Sequence, residues 1–261
     1  MTIDQEPFLA VRCMATNLVN GYVIETHVHT WHQLLCARSG AMTVYGGNWS
    51  WIAPPGTAVL IPAGTSHSIR MWGDVAARSL YFAPWVETPA LKLNECRVFS
   101  VTPLLREMIL RVIDLGALDT RLPRHEALLS VLLDELNIEP DQKLGVPLPS
   151  DARALALASH ILASPASDET LDQLSRRFGA SRRTLERLFQ METGLSLGLW
   201  RQKVRMLHSV RILAEGQSVT TAALDTGYAS VSAFIAAFRK TFGYTPGRFD
   251  EGPRLRIPTA S

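Results

Sequence analysis

Cysteine is scarce in this 261-residue chain: Cys13, Cys36 and Cys96 stand far apart, and no Cys-x-x-Cys pair occurs. That excludes a disulfide framework or a dithiol redox centre and suits reduced core positions. No apolar run approaches the roughly 18 residues that a membrane span needs. The opening residues, MTIDQEPFLA, have neither the basic nor the apolar region of a signal peptide, so no membrane partner is expected and the expected location is cytoplasmic. Missing too are a Gly-rich phosphate loop ending in Gly-Lys-Ser/Thr and a Gly-x-Ser-x-Gly elbow. Charged residues make up only 19 % of the chain, against 47 % apolar ones, which excludes a disordered polyelectrolyte and points to a globular core.

What charge there is lies unevenly. Residues 1–168 hold 12 Lys+Arg against 16 Asp+Glu, net −4, and residues 169–261 hold 14 against 8, net +6. A basic unit joined to an acidic one suits a nucleic-acid binder with a separate sensing domain. The length allows two domains of ordinary size.

The texture of the sequence changes twice. From about 8 to 100, short β-rich runs (GYVIETHVH, QLLCARSGAMTVYGG, TAVLIPAG, SLYFAP) alternate with glycine and proline, which predicts an antiparallel sandwich or barrel. From about 101 to 138 two apolar stripes recur at helical spacing: Leu104, Leu105, Met108, Ile109 and Val112, then Leu128, Leu129, Leu132, Leu133 and Leu136. They suit helices that cap the barrel or pair with a second subunit. The segment 139–151, with three prolines and a glycine, reads as a linker, and the chain beyond it reads as helical to about 247.

Residues 169–193 combine a short amphipathic helix, a stop at Gly179, and a second helix capped by Ser181. Helix, tight glycine turn and helix make a helix-turn-helix, whose second helix enters the major groove. Residues 218–243 repeat the scheme, with Gly227 at the stop and Ser230 at the cap. About 20 helical residues run between the units, roughly 30 Å, close to one DNA turn.

The stretch GYASVSAFIAAFRKTFGYTPGRF, which spans the second reading helix and the turn after it, resembles the signature of AraC/XylS-type transcription regulators, as does SRRTLERLFQMETG with Trp200 and Arg201 beyond it. The resemblance covers about 90 contiguous residues. It implies binding to double-stranded DNA and, by family habit, activation through RNA polymerase. In the first reading helix it marks Arg183, Glu186 and Arg187, with Arg182 adjacent. Arginine suits guanine and glutamate suits cytosine, while Ser181 and Lys203 are expected at phosphates. In the second unit the expected DNA face is Ser230, Val231, Ser232, Ile235 and Ala236, with Arg239 and Lys240 further along. This face has little hydrogen-bonding capacity, so sequence discrimination is expected mainly from the first unit.

A second resemblance lies in the β-rich half. Gly21, His27-Val28-His29, Gln33 and Gly40, then Gly56, Pro62-Ala63-Gly64 and His67, are similar to the two cupin motifs, whose histidines and glutamate converge on one metal. Here Gln33 replaces the glutamate and Met71 stands where asparagine is common. His27 and His29 project to one face of a strand and His32 to the other. Three readings stay open: a divalent metal (Zn, Ni, Fe or Cu) on His27, His29 and His67 with Gln33 supporting; a metal-free pocket in which these residues and Trp31 bind an organic effector; or a structural histidine set.

The expected fold is thus an α+β two-domain protein. Residues 1–138 form a cupin-like β-barrel with flanking helices, for effector binding and dimerisation. After the linker 139–151, residues 152–250 form an all-α AraC-type double helix-turn-helix. The expected function is effector-responsive transcription regulation by a homodimer, and not catalysis. The alternatives are a metal-dependent cupin oxygenase or isomerase, against which the DNA module and the missing glutamate count, and a ligand-independent DNA-binding protein.

Overall fold

A computed structural model describes residues 6–89, 91, 96–137 and 141–251. Ten strands and two helices form the first part: β1 (Leu9–Leu18), β2 (Val23–His27), β3 (His32–Ala37), β4 (Ala41–Gly46), β5 (Trp49–Ala53), β6 (Thr57–Ile61), β7 (His67–Trp72), β8 (Val75–Phe82), β9 (Arg97–Ser100), α1 (Pro103–Leu115), β10 (Ala117–Asp119) and α2 (Pro123–Glu135). Then come β11 (Gly145–Pro147) and α3 (Ala152–Ala163), α4 (Leu171–Arg177), α5 (Arg182–Thr193), α6 (Leu197–Ala214), α7 (Val219–Asp225) and α8 (Val231–Phe242). The architecture is the expected one: an antiparallel β domain with flanking helices, and after it a helical double helix-turn-helix.

The strands form two sheets, ordered β10-β1-β8-β3-β6-β9 and β11-β5-β4-β7-β2, with every pairing antiparallel. Side chains alternate across the six-stranded sheet. Leu35, Val59, Ile61 and Ala77 join one core with Met42, Ile69 and Met71 of the five-stranded sheet, whereas Leu34, Leu60, Leu80 and Phe82 join a second core with α1 and α2.

That second core consumes the two helical stripes. Leu105, Met108, Ile109 and Val112 of α1 and Leu129, Leu132 and Leu136 at α2 are buried against the sheet. Each such side chain contributes about 1.5–3 kcal/mol by leaving water. Thr102 caps α1 by accepting from the Leu105 N–H, with Pro103 in its first turn, and Gly116 ends it at φ 79°.

The segment read as a linker is largely structured where it is described. Residues Gln142–Leu144 form a 3-10 turn, and Gly145–Pro147 pair with β5 as an edge strand. Positions 138–140 lie outside the described residues. A Cβ on Gly145 would stand 2.1 Å from the Trp51 ring, so only glycine lets β11 lie this close.

The first core does not stop at the sheet. It runs on through Leu144 and Val146 into Trp200, Val204 and Leu207 of α6. The Trp200 indole N–H donates to the Pro147 carbonyl at 2.7 Å, and Glu192 accepts from the Ser150 and Asp151 amides. At the other end of α6, the buried Arg211 guanidinium lies 4.6 Å from the centre of the Trp72 ring and donates to the Leu162 carbonyl. Gly73, at φ 68°, abuts the last turn of α6: a Cβ there would lie 1.9 Å from the Ala214 carbonyl oxygen.

Gly73→Ala is therefore expected to cost about 3 kcal/mol or more, from left-handed strain plus a clash with fixed backbone. Gly47→Ala, at φ 60° with no neighbour within 4 Å, carries the strain alone, about 1 kcal/mol. Chemical denaturation of both variants checks this. Equal losses would show that the seam at Gly73 is not tightly packed.

Candidate metal centre and nucleic-acid interface

Strand pairing builds the histidine cluster. His27 ends β2 and lies directly across from His67, the first residue of β7, after a register irregularity beyond Ile24. His29 sits just past β2 on the same side. The rings of His27 and His67 are 4.2 Å apart, centre to centre, and those of His29 and His67 are 4.9 Å apart. One ring nitrogen from each of the three falls within 4.8 Å of the others.

Backbone carbonyls fix the imidazoles. Nδ1–H of His27 donates to the Glu25 carbonyl, that of His29 to Trp31 and that of His67 to Thr65. Each Nε2 is then the lone-pair nitrogen, the form a metal requires. His67 Nε2 is buried without a hydrogen-bond partner. Burial, and then the neighbouring His27 and His29, push the His67 pKa down to about 4, with the Thr65 bond opposing. It is neutral at physiological pH, the state that coordination would need.

Gln33, from β3, sets His29. Its Oε1 lies 3.0 Å from His29 Nε2, and its Nε2 lies 3.1 Å from both Ser79 Oγ and Tyr81 Oη. Turning the amide over satisfies every contact with a neutral His29: the Gln33 N–H donates to the ring, and both hydroxyls donate to the Gln33 carbonyl. Gln33 thus occupies the nitrogen that an ion would take. Ser79 and Tyr81 carry no motif in the sequence; β3–β8 pairing alone brings them to Gln33, with Tyr81 directly opposite.

Two expectations about aromatic and histidine neighbours part ways. His32 faces away, accepting from the Ala63 amide, as the strand alternation implies. Trp31 does not line the histidine site: its ring is buried in the outer core, 4.9 Å beneath the Arg12 guanidinium. Only its backbone carbonyl serves the cluster.

In the helical part, α4 and α5 form one helix-turn-helix, with Gly179 at φ 67°, and α7 and α8 form the other, with Gly227 at φ 79°. Ser181 and Ser230 cap α5 and α8, accepting from the Thr184 and Ala233 amides. Arg183 and Arg187 are exposed on α5, and among the described residues no carboxylate pairs with Arg183. Arg182 is instead held by Glu186 at 2.9 Å and Asp172 at 3.6 Å. On α8, Ser232, Ala236, Arg239 and Lys240 are exposed.

Three residues expected at DNA make contacts within the protein. Lys203 donates from Nζ to the Gln142 carbonyl at 2.7 Å, and burial lowers its pKa. The 3-10 turn before β11 captures it because α6 packs there. Val231 is half-buried and packs on the core together with Ile235, since the first turn of α8 leans on that side.

The first part of the chain, residues 11–158, matches the AraC-like ligand binding domain, and residues 174–252 match a helix-turn-helix domain. This chain belongs to the AraC family of helix-turn-helix transcriptional regulators. The HTH-type transcriptional regulator NimR of Escherichia coli is 34 % identical over 223 residues, 85 % of this chain and 81 % of NimR. RipA of Corynebacterium glutamicum, another HTH-type regulator, is 35 % identical over 106 residues, 41 % of this chain and 32 % of RipA. ToxT of Vibrio cholerae, in a crystal structure with bound unsaturated fatty acid, covers 94 % of this chain at 12 % identity and a TM-score of 0.38, the match taking in 96 % of ToxT. NimR and RipA, the two sequence relatives of this AraC-family chain described above, are both named as transcriptional regulators. No described helix is long and apolar enough to cross a membrane.

Burial gives this AraC-family protein an acid-sensitive fold. His67 and His208 both sit near pKa 4, His208 through burial and then Arg211, against about 6.5 when unfolded. The unfolded chain takes up protons first, so stability is full above pH 6.5 and declines as pH falls toward 4. The denaturation midpoint should drop across that window, and His208→Gln should make the drop shallower. A midpoint flat from pH 7 to 4.5 would contradict the burial argument.

Proposed function

We propose that this protein is a metal-responsive, sequence-specific transcription regulator, with a divalent ion held by His27, His29 and His67. The carrying observation is the convergence of three carbonyl-anchored imidazoles with their lone-pair nitrogens inward, one of them buried and unbonded at His67 Nε2. Imidazole donors suit Zn, Ni, Fe or Cu. An ion there would supply a fixed positive charge and would displace Gln33 from His29. The AraC-like ligand binding match supports an effector in this part of the chain. Metal analysis of protein purified without chelator is expected to find one equivalent, lost in His67→Ala and retained in His32→Ala. Full metal content in His67→Ala would eliminate this site.

Reading of DNA falls mainly to α5. Arg183 and Arg187 reach for base edges, and the Arg182–Glu186 pair stiffens the helix beside them. Ser181 and Ser230 present helix N-termini to phosphates, and Ser232, Arg239 and Lys240 hold the second unit on the backbone. The protein acts in the cytoplasm, activates by contact with RNA polymerase, and pairs as a homodimer. Exposed Leu104, Leu122 and Val131 on and beside α1 and α2 support the pairing. An organic effector is the second reading, and a cavity separate from the histidines favours it.

Arg183→Ala should weaken operator binding by about 10–100-fold, as loss of a bidentate base contact does. Lys203→Ala should leave the salt dependence of binding unchanged, because Nζ is turned to Gln142. Operator titrations at several salt concentrations read both. Equal sensitivity to base changes in both half-sites would remove the assignment of specificity to α5.

A further inference from the structure

A cavity of about 550 Å³ lies on the far side of the six-stranded sheet from the histidine cluster. The side assignment comes from strand alternation: Gln33 points inward to His29, and Cys36, three residues on, points outward to this cavity. The volume is in the usual range for small-molecule sites. Pro55, Val101, Ile109 and Leu110 supply apolar walls.

Three arginines line the same cavity: Arg38, just past β3, Arg78 from β8 and Arg106 from α1. One acid faces them, Asp250, from the 3-10 segment Pro246–Glu251 beyond α8. Arg106 has a partner, the exposed Glu107 at 2.9 Å. Arg78 is half-buried and donates to its neighbour's Ala77 carbonyl, and among the described residues no carboxylate pairs with Arg78 or Arg38. A partly buried guanidinium is stabilised by an oxyanion, which it binds through two parallel N–H groups. Cys36 is a neutral wall and no nucleophile, since burial raises its thiol to about 12.

We propose that this cavity binds a small organic carboxylate, with the carboxylate on Arg78 and Arg38 and an apolar body against α1. Inorganic phosphate would satisfy the charges and leave the apolar walls unfilled. Asp250 gives the site a link to the DNA-binding part of the chain. A bound carboxylate repels Asp250, so the ligand favours arrangements in which the segment after α8 moves off the cavity. The site is independent of the histidine cluster and needs no metal.

Calorimetric titration of the full chain with benzoate, phthalate and octanoate, and with uncharged benzamide as control, tests the proposal in metal-free buffer without DNA. At least one carboxylate should bind saturably and about tenfold or more tighter than benzamide. Arg78→Gln should weaken that binding at least about tenfold, the loss of a charged hydrogen bond. Arg38→Gln, an exposed change, should weaken it without altering the fold. Asp250→Asn should tighten it several-fold, and His67→Ala should leave it unchanged. No saturable carboxylate binding, or binding indifferent to both Arg78→Gln and Arg38→Gln, overturns the proposal. Loss in His67→Ala alone would also overturn it, by moving the ligand to the histidine cluster. Because neither metal nor DNA is present, either outcome leaves the metal reading to be judged separately.

Discussion

Helix α6 is packed on more than one face, and the arrangement of the whole chain depends on that packing. Ten of its 18 residues are buried, among them a tryptophan and an arginine. Its length, roughly 27 Å, separates the two helix-turn-helix units. Its first half anchors to β11 through Trp200, and its last turn meets β7 and Gly73. A buried guanidinium is costly unless it is fully engaged. Arg211 is engaged by the Trp72 ring, the Leu162 carbonyl and Tyr45, groups drawn from both parts of the chain, while its Nε is buried without a hydrogen-bond partner.

The same packing places the effector chemistry within mechanical reach of the DNA module. Strand β7 begins at His67 and ends at Trp72, about 20 Å of extended chain with a proposed metal ligand at one end and the Arg211 stack at the other. The outer cavity reaches the module by another route, through Asp250. A ligand shifts such a system only by binding one arrangement better than another. Both proposed sites would have a physical means to do so: one through displacement of Gln33 from His29, the other through charge repulsion at Asp250.

Periodicity made the class of the fold legible. Glycine stops and serine caps placed both helix-turn-helix units nearly to the residue, because capping is local chemistry, satisfied within a few positions of the chain. Alternation put His27 and His29 on one face and His32 on the other for the same reason. The histidine cluster was legible as a set, since its spacing matched a motif. Its supports, Ser79 and Tyr81, were not, because their roles exist only through β3–β8 register.

The sequence by itself determined the order of the strand-rich and helical parts, where the reading helices begin and end, and which histidines share a side, all consequences of backbone geometry over a few residues. Only the tertiary structure decided where long side chains and apolar stripes are used. Lys203 and Val231 face protein and not DNA, Trp31 fills the outer core, and the leucine stripes of α1 and α2 cover a sheet. Three arginines far apart in the chain line one cavity. These outcomes depend on which surfaces meet, and an amphipathic pattern says that a face will be covered without saying by what.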